Sequence, residues 1–464
     1  MKQCIISEEI AGFCVSLKYE DIPLSIIEKT KRHILDTLGA GIAGSLSDEH
    51  YKLTNVLKII GVNTGCAPIW GTGKFANPLD VALVNGMACH TFELDDTGGC
   101  DHSGAVVLPA VIACIPLCNR IVSGKEFITA VVLGYDIARR ALEACGAYEP
   151  HNEAGWHSTS TCGPFGAAVA VGYLLKLTKE EMQSALGIAS STSGGLWAFI
   201  HDGAQNKKLH PGRAAEGGLL AALLAREGFR GPKMVFEDVW GGFTKTFAPT
   251  SEDKRAWTRE LGVNWKIGRV SIKPYTSCRS THAAIDATDR MIKEHGLKSS
   301  DIKQIIVELN PFVNGMCGGR DTATMSGTQM SLPFGISAIV AYGSAGLNSY
   351  AEKMRNSAEV HNVMDKIELV VNDNMASDEE PFVTVITNNG ESHKMRVEIP
   401  LGSPTNPISD KELLNKYRSI ATMIWPEKIV DRLSQLILSL EIVSDMNEIV
   451  NIVKTIPFKR DIIR

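Results

Sequence analysis

The hydrophobic pattern of the first 265 residues is helical almost throughout. Ile22 to Ala43 reads as an amphipathic helix, with Ile26, Ile27, Ile34, Leu35 and Leu38 on its apolar side. Val81–Asp95, Gly104–Cys118, Gly124–Cys145, Cys162–Leu177, Lys179–Ser191 and Gly212–Glu227 carry the same period. Several are apolar nearly all round and rich in Gly and Ala, which predicts buried helices that approach closely. Near residue 266 the pattern changes. Val270–Ile272, Ile305–Leu309, Lys366–Val371 and Val383–Thr387 have strand composition. Thr387-Asn-Asn-Gly390 predicts a hairpin turn into His393–Ile399. Helices are predicted around Ser280–His295 and Met330–Tyr342. Leu401–Pro407 is an irregular connector, after which Asp410–Met423, Pro426–Leu440 and Met446–Val453 return to helical period. The predicted fold is mainly α with an α+β second domain: a large, discontinuous helical domain (1–266 and 401–464) and a smaller α+β lid (267–400).

Composition narrows the function. A chain of 464 residues is long enough for two cores. Its net charge of −5, without a basic block, argues against nucleic acid. Met1 to Glu9 lack the apolar core of a signal peptide, and no apolar run is long enough to span a membrane. Eleven cysteines, an odd number with no CxxC, read as reduced thiols. That predicts a cytoplasmic location, with a mitochondrial one as the alternative.

Candidate chemistry concentrates where cationic or titratable residues precede helices. His90 to His102 holds His90, Glu93, Asp95, Asp96, Thr97, Asp101 and His102. His90, Glu93 and Thr97 share a helix face by spacing, and Gly98-Gly99 would end that helix. His102 and Ser103 then precede the next apolar segment. Gly-Trp-His157 precedes Ser158-Thr-Ser160; Lys207, Lys208 and His210 precede Pro211; Cys278 and Arg279 precede Ser280 and His282. Free backbone N–H groups at helix starts favour carboxylates. Lys207 and Arg279 add cations for anion recognition. His102 and His157 suit proton transfer near neutral pH. Asp96 and Thr97 are expected to orient the substrate or a histidine. Glu93, Asp95, His210 and Cys278 are expected around the substrate. The carboxylate spacing matches no familiar metal site, so no metal is expected. The absence of GxGxxG, GxxxxGK[ST] and GxSxG argues against nucleotide binding and serine hydrolysis.

Several runs together resemble one family. They are His90-Thr-Phe-Glu-Leu-Asp-Asp96, His102-Ser103 with Val107-Leu-Pro109, Gly155-Trp-His157, Lys207 with His210, Lys273-Pro-Tyr-Thr-Ser-Cys-Arg-Ser-Thr-His282, and Gly327-Thr-Gln-Met-Ser-Leu-Pro-Phe334. In this order they are similar to the MmgE/PrpD family, which includes 2-methylcitrate dehydratase, cis-aconitate decarboxylase and iminodisuccinate epimerase. The resemblance implies a helical domain with an α+β lid, a homodimer, and catalysis on a small polycarboxylate without metal or organic cofactor. It places site positions on Glu93, Thr97, His102, His157, Lys207, Cys278 and Phe334. Glu93 stands at an Asp position of the decarboxylase branch, Cys278 at a His position of the animal decarboxylase, and Phe334 where Tyr is common. The expected activity is decarboxylation or dehydration. Epimerisation of a substituted succinate and carboxylate binding without turnover are the alternatives.

Overall fold

The fold was analysed in a computed structural model that describes residues 5–61, 64–458 and 463. Residues 1–4, including Cys4, lie outside the described residues. The N-terminal part contributes α1 (Ile6–Ser16), α2 (Leu24–Gly44), α3 (Asp48–Ile59), α4 (Pro78–Thr91) and α5 (Ser103–Cys114). It continues with α6 (Gly124–Ala144), α7 (Ser158–Leu174), α8 (Lys179–Ala189), α9 (Asn206–Arg226) and the short α10 (Phe243–Phe247). A small antiparallel hairpin, β1 (Ala67–Ile69) and β2 (Lys74–Ala76), precedes α4; the sequence pattern did not predict it.

Local chemistry sets many of these ends. Ser123 and Glu126 form a capping box at the start of α6, and Thr178 with Glu181 does the same for α8. All twelve residues of α5 are buried, as its unbroken apolar run predicts. Glycine lets the central helices touch. A Cβ on Gly212 of α9 would collide with the Leu83 carbonyl of α4, and one on Gly218 would collide with Ala167 of α7. This close crossing brings the C-terminal end of α4 beside the N-terminal ends of α5, α7 and α9.

The middle of the chain forms α11 (His282–His295), β3 (Ile302–Leu309), α12 (Pro311–Cys317), α13 (Met325–Gln329) and α14 (Leu332–Tyr342). After α15 (Glu352–Arg355) and α16 (Ala358–Met364) come β4 (Ile367–Val371), β5 (Phe382–Thr387) and β6 (Ser392–Arg396). The sheet order is β4-β3-β5-β6, with β3–β4 parallel and the other pairs antiparallel. The predicted hairpin is present, with Gly390 at φ +90° in its turn. The chain ends with α17 (Asp410–Ala421), α18 (Glu427–Leu438) and α19 (Asn447–Val453).

The apolar side chains separate accordingly. The largest cluster draws on Ile10 to Ile272 and again on Ile408 to Val453. Two smaller clusters use buried residues from Ala284 to Val397. A fourth joins Phe92 and Leu94 to Leu347 and Ile420, so the two sets of helices meet beside the His90–His102 segment.

Three expectations need correction. The helix predicted over Val81–Asp95 ends at Thr91, before Gly98, and Glu93 takes a left-handed φ of +52°. Glu93 and Thr97 therefore lie on a loop and share no helix face with His90. The helix predicted from Gly212 begins at Asn206, so Lys207, Lys208 and His210 sit inside the first turns of α9. Pro211 is then the sixth residue of α9, inside the helix, where its missing N–H leaves the Lys207 carbonyl without the usual donor four residues on. Val270–Ile272 forms no strand; Ser271 instead exchanges two backbone hydrogen bonds with Thr97, at 3.1 and 2.8 Å. Among the described residues, no helix is long and apolar enough to cross a membrane, and all ten cysteines are free.

Candidate active site

Glu93 is the centre of the first cluster. Its strained backbone turns the carboxylate into the interior, where only 1% of the residue stays exposed. Oε1 accepts from Lys207 Nζ at 2.5 Å and Lys208 Nζ at 3.0 Å, and Oε2 accepts from Lys273 Nζ at 2.8 Å. Burial alone would raise Glu93, but the three lysines more than offset it and hold the carboxyl well below its ordinary range. Burial also works against Lys273, yet Glu93 and Asp95 keep it above the ordinary lysine value. Burial and the neighbouring Lys207 leave Lys208 lowered despite Glu93. Lys208 donates a further bond to Gln329 Oε1 at 2.8 Å, which ties α9 to α13.

This cluster borders a cavity of about 260 Å³. Glu93, Lys207 and Lys208 line one wall, Phe199 to Ala204 (Asp202 among them) a second, and Met316, Asp321, Ser326, Gly327 and Met330 a third. Around Glu93 three ammonium groups meet a single carboxylate, a local excess of positive charge. Lys207 and Lys208 reach the cavity, Lys273 lies behind Glu93, and Asp202 and Asp321 also line the cavity.

Four histidines form the second cluster. His102 and His157 stand at the N-cap positions of α5 and α7. α7 begins at Ser158 and not at the expected Cys162, so His157 directly abuts its helix. His102 Nδ1 lies 3.0 Å from the Asp96 carbonyl and 3.0 Å from Asp95 Oδ2. Asp95 also meets His90 Nδ1 at 3.0 Å, and the His90 and His102 rings are 4.1 Å apart. Burial pushes His90 down to about 3, further than Asp95 and Glu93 pull it up. Burial disfavours the Asp95 charge, but His90 and His102 outweigh it and keep the carboxyl well below its usual range. His157 is fully buried, packed edge-on against Trp197 and Phe199, and its Nδ1 lies 2.9 Å from His210 Nδ1. Burial, with the His210 and Lys207 charges, holds His157 well below its ordinary value; burial and Lys207 lower His210 to about 4. Phe199 links the two clusters, since it packs on His157, lines the cavity, and lies 5.8 Å from Lys207 Nζ. Neither His102 nor His157 is itself among the cavity-wall residues.

His90, Asp95 and His102 present donor atoms within 4.8 Å of one another, close enough to surround a metal ion. The donor set fits poorly. Asp95 accepts from both rings and the Asp96 carbonyl accepts from His102, so both Nδ1 atoms carry hydrogen and only the Nε2 atoms keep lone pairs. The trio reads better as a hydrogen-bonded support for His102.

The remaining predicted residues are placed differently. The Asp96 side chain points away from the cavity: it accepts from Gly104 N at 3.0 Å and Tyr135 OH at 2.5 Å, and meets His33 Nδ1 at 3.1 Å. It caps α5 and fastens it to α2 and α6. Thr97 is held through its backbone bridge to Ser271. Arg279 pairs with Glu380 Oε1 at 3.0 Å rather than with the lysine cluster. Phe334 is fully buried against Tyr350, ring centres 4.8 Å apart, inside an apolar cluster. Cys278 is half-buried; a thiol contact with Cys317, with Lys207 and Lys273 nearby, lowers it to about 5. Sequence reasoning missed Lys273 and undervalued Lys208, whose tandem with Lys207 resembles solvent charge. The one available signal for Lys273 was its place at the head of the Lys273–His282 run.

Comparison with known proteins identifies the family. The chain is 27% identical to the cis-aconitate decarboxylase-like protein oryM of Aspergillus oryzae (strain ATCC 42149 / RIB 40) over 475 residues, covering 97% of each chain. It is 28% identical to a cis-aconitate decarboxylase of Aspergillus terreus over 480 residues, covering 96% of this chain and 95% of that one. The cis-aconitate decarboxylase of Mus musculus is 27% identical over 472 residues, with 97% and 93% covered. Residues 8–255 match the MmgE/PrpD N-terminal domain and residues 275–442 the MmgE/PrpD C-terminal domain. On matches that span most of its length, the chain belongs to the MmgE/PrpD family.

Proposed function

We propose that this enzyme is a cofactor-independent lyase that decarboxylates or dehydrates a small di- or tricarboxylate, with cis-aconitate as the first candidate. The observation that carries the reading is the buried lysine trio around Glu93, of which Lys207 and Lys208 reach the cavity. A buried excess of cations is costly unless an anion completes it. At about 4 Å and an effective dielectric near 20, each added carboxylate–ammonium contact is worth ~4 kcal/mol of Coulomb attraction. A polycarboxylate supplies that anion and also carries the bond to be broken.

The histidine cluster supplies the proton steps. In decarboxylation the C–C bond breaks, the electron pair stays on carbon, and a histidine N–H quenches it. In dehydration one histidine takes a proton from carbon while another protonates the departing hydroxyl. His102 and His157 are the carriers. Asp95 orients His102, and Asp96 acts through the position of α5. We read 267–400 as a lid on a helical domain formed by 1–266 and 401–464. The separation of the apolar clusters supports that division, although Val270 and Ile272 still pack with the larger one. A homodimer is the assembly we expect.

The test is incubation with cis-aconitate and a panel of citrate-like acids in D₂O, followed by proton NMR. Decarboxylation gives a product with deuterium at the quenched carbon. Dehydration interconverts hydroxy and unsaturated acids. Deuterium entering an α position without net elimination would replace the lyase reading by epimerisation. Thermal stabilisation by the acids without turnover would leave a carboxylate-binding protein.

A further inference from the structure

The partners of two Nδ1 atoms separate the roles of His102 and His157. His102 Nδ1 faces the Asp96 carbonyl and the Asp95 carboxylate, both at 3.0 Å. Both groups accept, so this nitrogen keeps its hydrogen. Whenever His102 is neutral, its Nε2 is bare and can act only as a base.

His157 is held otherwise. Its Nδ1 faces another Nδ1, that of His210, at 2.9 Å. Two neutral imidazoles in this contact share one hydrogen, because one nitrogen must donate and the other accept. With the hydrogen on His210, His157 Nδ1 accepts and its Nε2 carries a proton. With the hydrogen on His157, its Nε2 is bare. That Nε2 is buried and has no protein partner. Burial first, then the neighbouring His210 and Lys207, disfavour a cation on His157, so the neutral pair is the resting form.

A neutral imidazole is a weak acid. Surrendering Nε2–H would leave an imidazolate in a buried site, unless a hydrogen reaches Nδ1 in the same step. His210 is the side chain in contact with Nδ1, and it keeps 7% exposure where His157 has none. Gly195 lies beside the His157 backbone and the His210 ring. Its carbonyl accepts from His157 N at 3.0 Å, and a Cβ there would come within 3.2 Å of His210 Nε2.

Resting on the lyase reading above, we propose that His210 is a proton-relay residue for His157, which makes His157 the acid and His102 the base. In the acid step His157 Nε2–H passes to the substrate carbon or leaving oxygen. The hydrogen on His210 Nδ1 moves to His157 Nδ1, and His210 Nε2 takes a proton from solvent. Both rings end neutral. In the reset, water in the emptied site returns a proton to His157 Nε2. The shared hydrogen moves back to His210, and His210 Nε2 releases one proton.

Two measurements test this on the full chain. The first is ¹⁵N NMR of histidine-labelled, ligand-free protein, assigned by single histidine substitutions. The expected result is His102 fixed as the Nδ1–H form, with one hydrogen shared between His157 and His210. His157 locked as Nδ1–H and unmoved by His210→Asn would overturn the relay. The second is steady-state turnover of cis-aconitate by wild type, His210→Asn and His210→Gln. The asparagine amide can still donate to His157 Nδ1 but cannot pass a proton through itself. We expect kcat to fall ~10- to 100-fold with KM within about 2-fold, and added imidazole to restore part of the rate. An unchanged kcat, or a loss that imidazole leaves untouched, would also overturn it. If wild type leaves cis-aconitate and the rest of the panel intact, the lyase reading fails and the NMR result alone decides whether the histidines form the shared-proton pair.

Discussion

Two buried acids in one short loop have opposite jobs. Glu93 and Asp96 are both almost fully shielded from solvent. Glu93 is ringed by three ammonium groups beside a cavity. Asp96 is ringed by a backbone N–H, a tyrosine hydroxyl and a histidine, with no cavity lining among its roles. The first surrounding leaves surplus charge that a ligand can satisfy. The second leaves nothing for a ligand to do. Both are buried carboxyl side chains; the balance of partners separates binding site from scaffold.

The sharpest way to break this comparison is Glu93→Gln. It leaves three lysines without their shared counter-ion, a type of loss that costs ~3–5 kcal/mol. We expect that fall in urea denaturation. We also expect citrate to raise the melting temperature of the variant more than that of wild type, because the anion replaces the missing charge. A melting temperature indifferent to citrate in both proteins would remove the cavity from consideration as an anion site.

Acidification separates the two clusters by pH window. His210 is lowered to about 4 and His90 to about 3 from 6.5. From pH 6.5 down to about 4 the unfolded chain binds protons that these folded histidines refuse, so stability falls as pH falls. The slope is at most ~1.4 kcal/mol per pH unit for each group. Glu93 is also depressed, but from 4.5, so its contribution is lost only below that value. Glu93→Gln should therefore flatten the limb below pH 4.5 and leave the upper limb intact. His210→Asn should do the reverse. Equal flattening of both limbs by either variant would contradict the separation.

Asp96→Asn is the matching probe of the scaffold. It disturbs the α5 cap and the Tyr135 bond, a change worth ~1–3 kcal/mol. The citrate-induced shift should equal that of wild type, since Asp96 touches no part of the cavity wall. A citrate response lost together with the Asp96 side chain would return this residue to the binding machinery.

The sequence was readable where chemistry is local. His102 and Ser103 announced the start of α5, and His102 is its N-cap. His157 was expected ahead of a helix from Cys162, and the helix in fact takes in Ser158-Thr-Ser160. Gly and Ala spacing announced close helices, and Asn389-Gly390 announced the hairpin. It was unreadable where chain segments converge. Glu93, Lys207 and Lys273 are separated by 114 and 180 residues along the chain, and no local period links them. The end of α4 at Thr91 was hidden for a related reason. Glu93 adopts φ +52° at the cost of local strain, and three long-range ion pairs hold it there. Asp96 misled because an acid before a helix looks the same whether it caps that helix or faces a substrate.

Arg279 carries the smallest expected effect and extends the contrast to cations. It was grouped with Lys207 because both precede or open helices, yet its guanidinium pairs with Glu380 at 3.0 Å and its side chain stays 30% exposed. A partly exposed pair of this kind contributes ~0–1 kcal/mol. Burial raises Glu380 in spite of Arg279, so the pair is already a weak one. Arg279→Gln should lower stability by no more than that and leave kcat/KM on the chosen acid within about 3-fold. A Lys207→Met control, measured in the same assay, should instead lose most activity. If Arg279→Gln matches Lys207→Met, the guanidinium must leave Glu380 and reach the substrate. The cations around the substrate would then include a group that ligand binding recruits, beside Lys207 and Lys208 at the cavity.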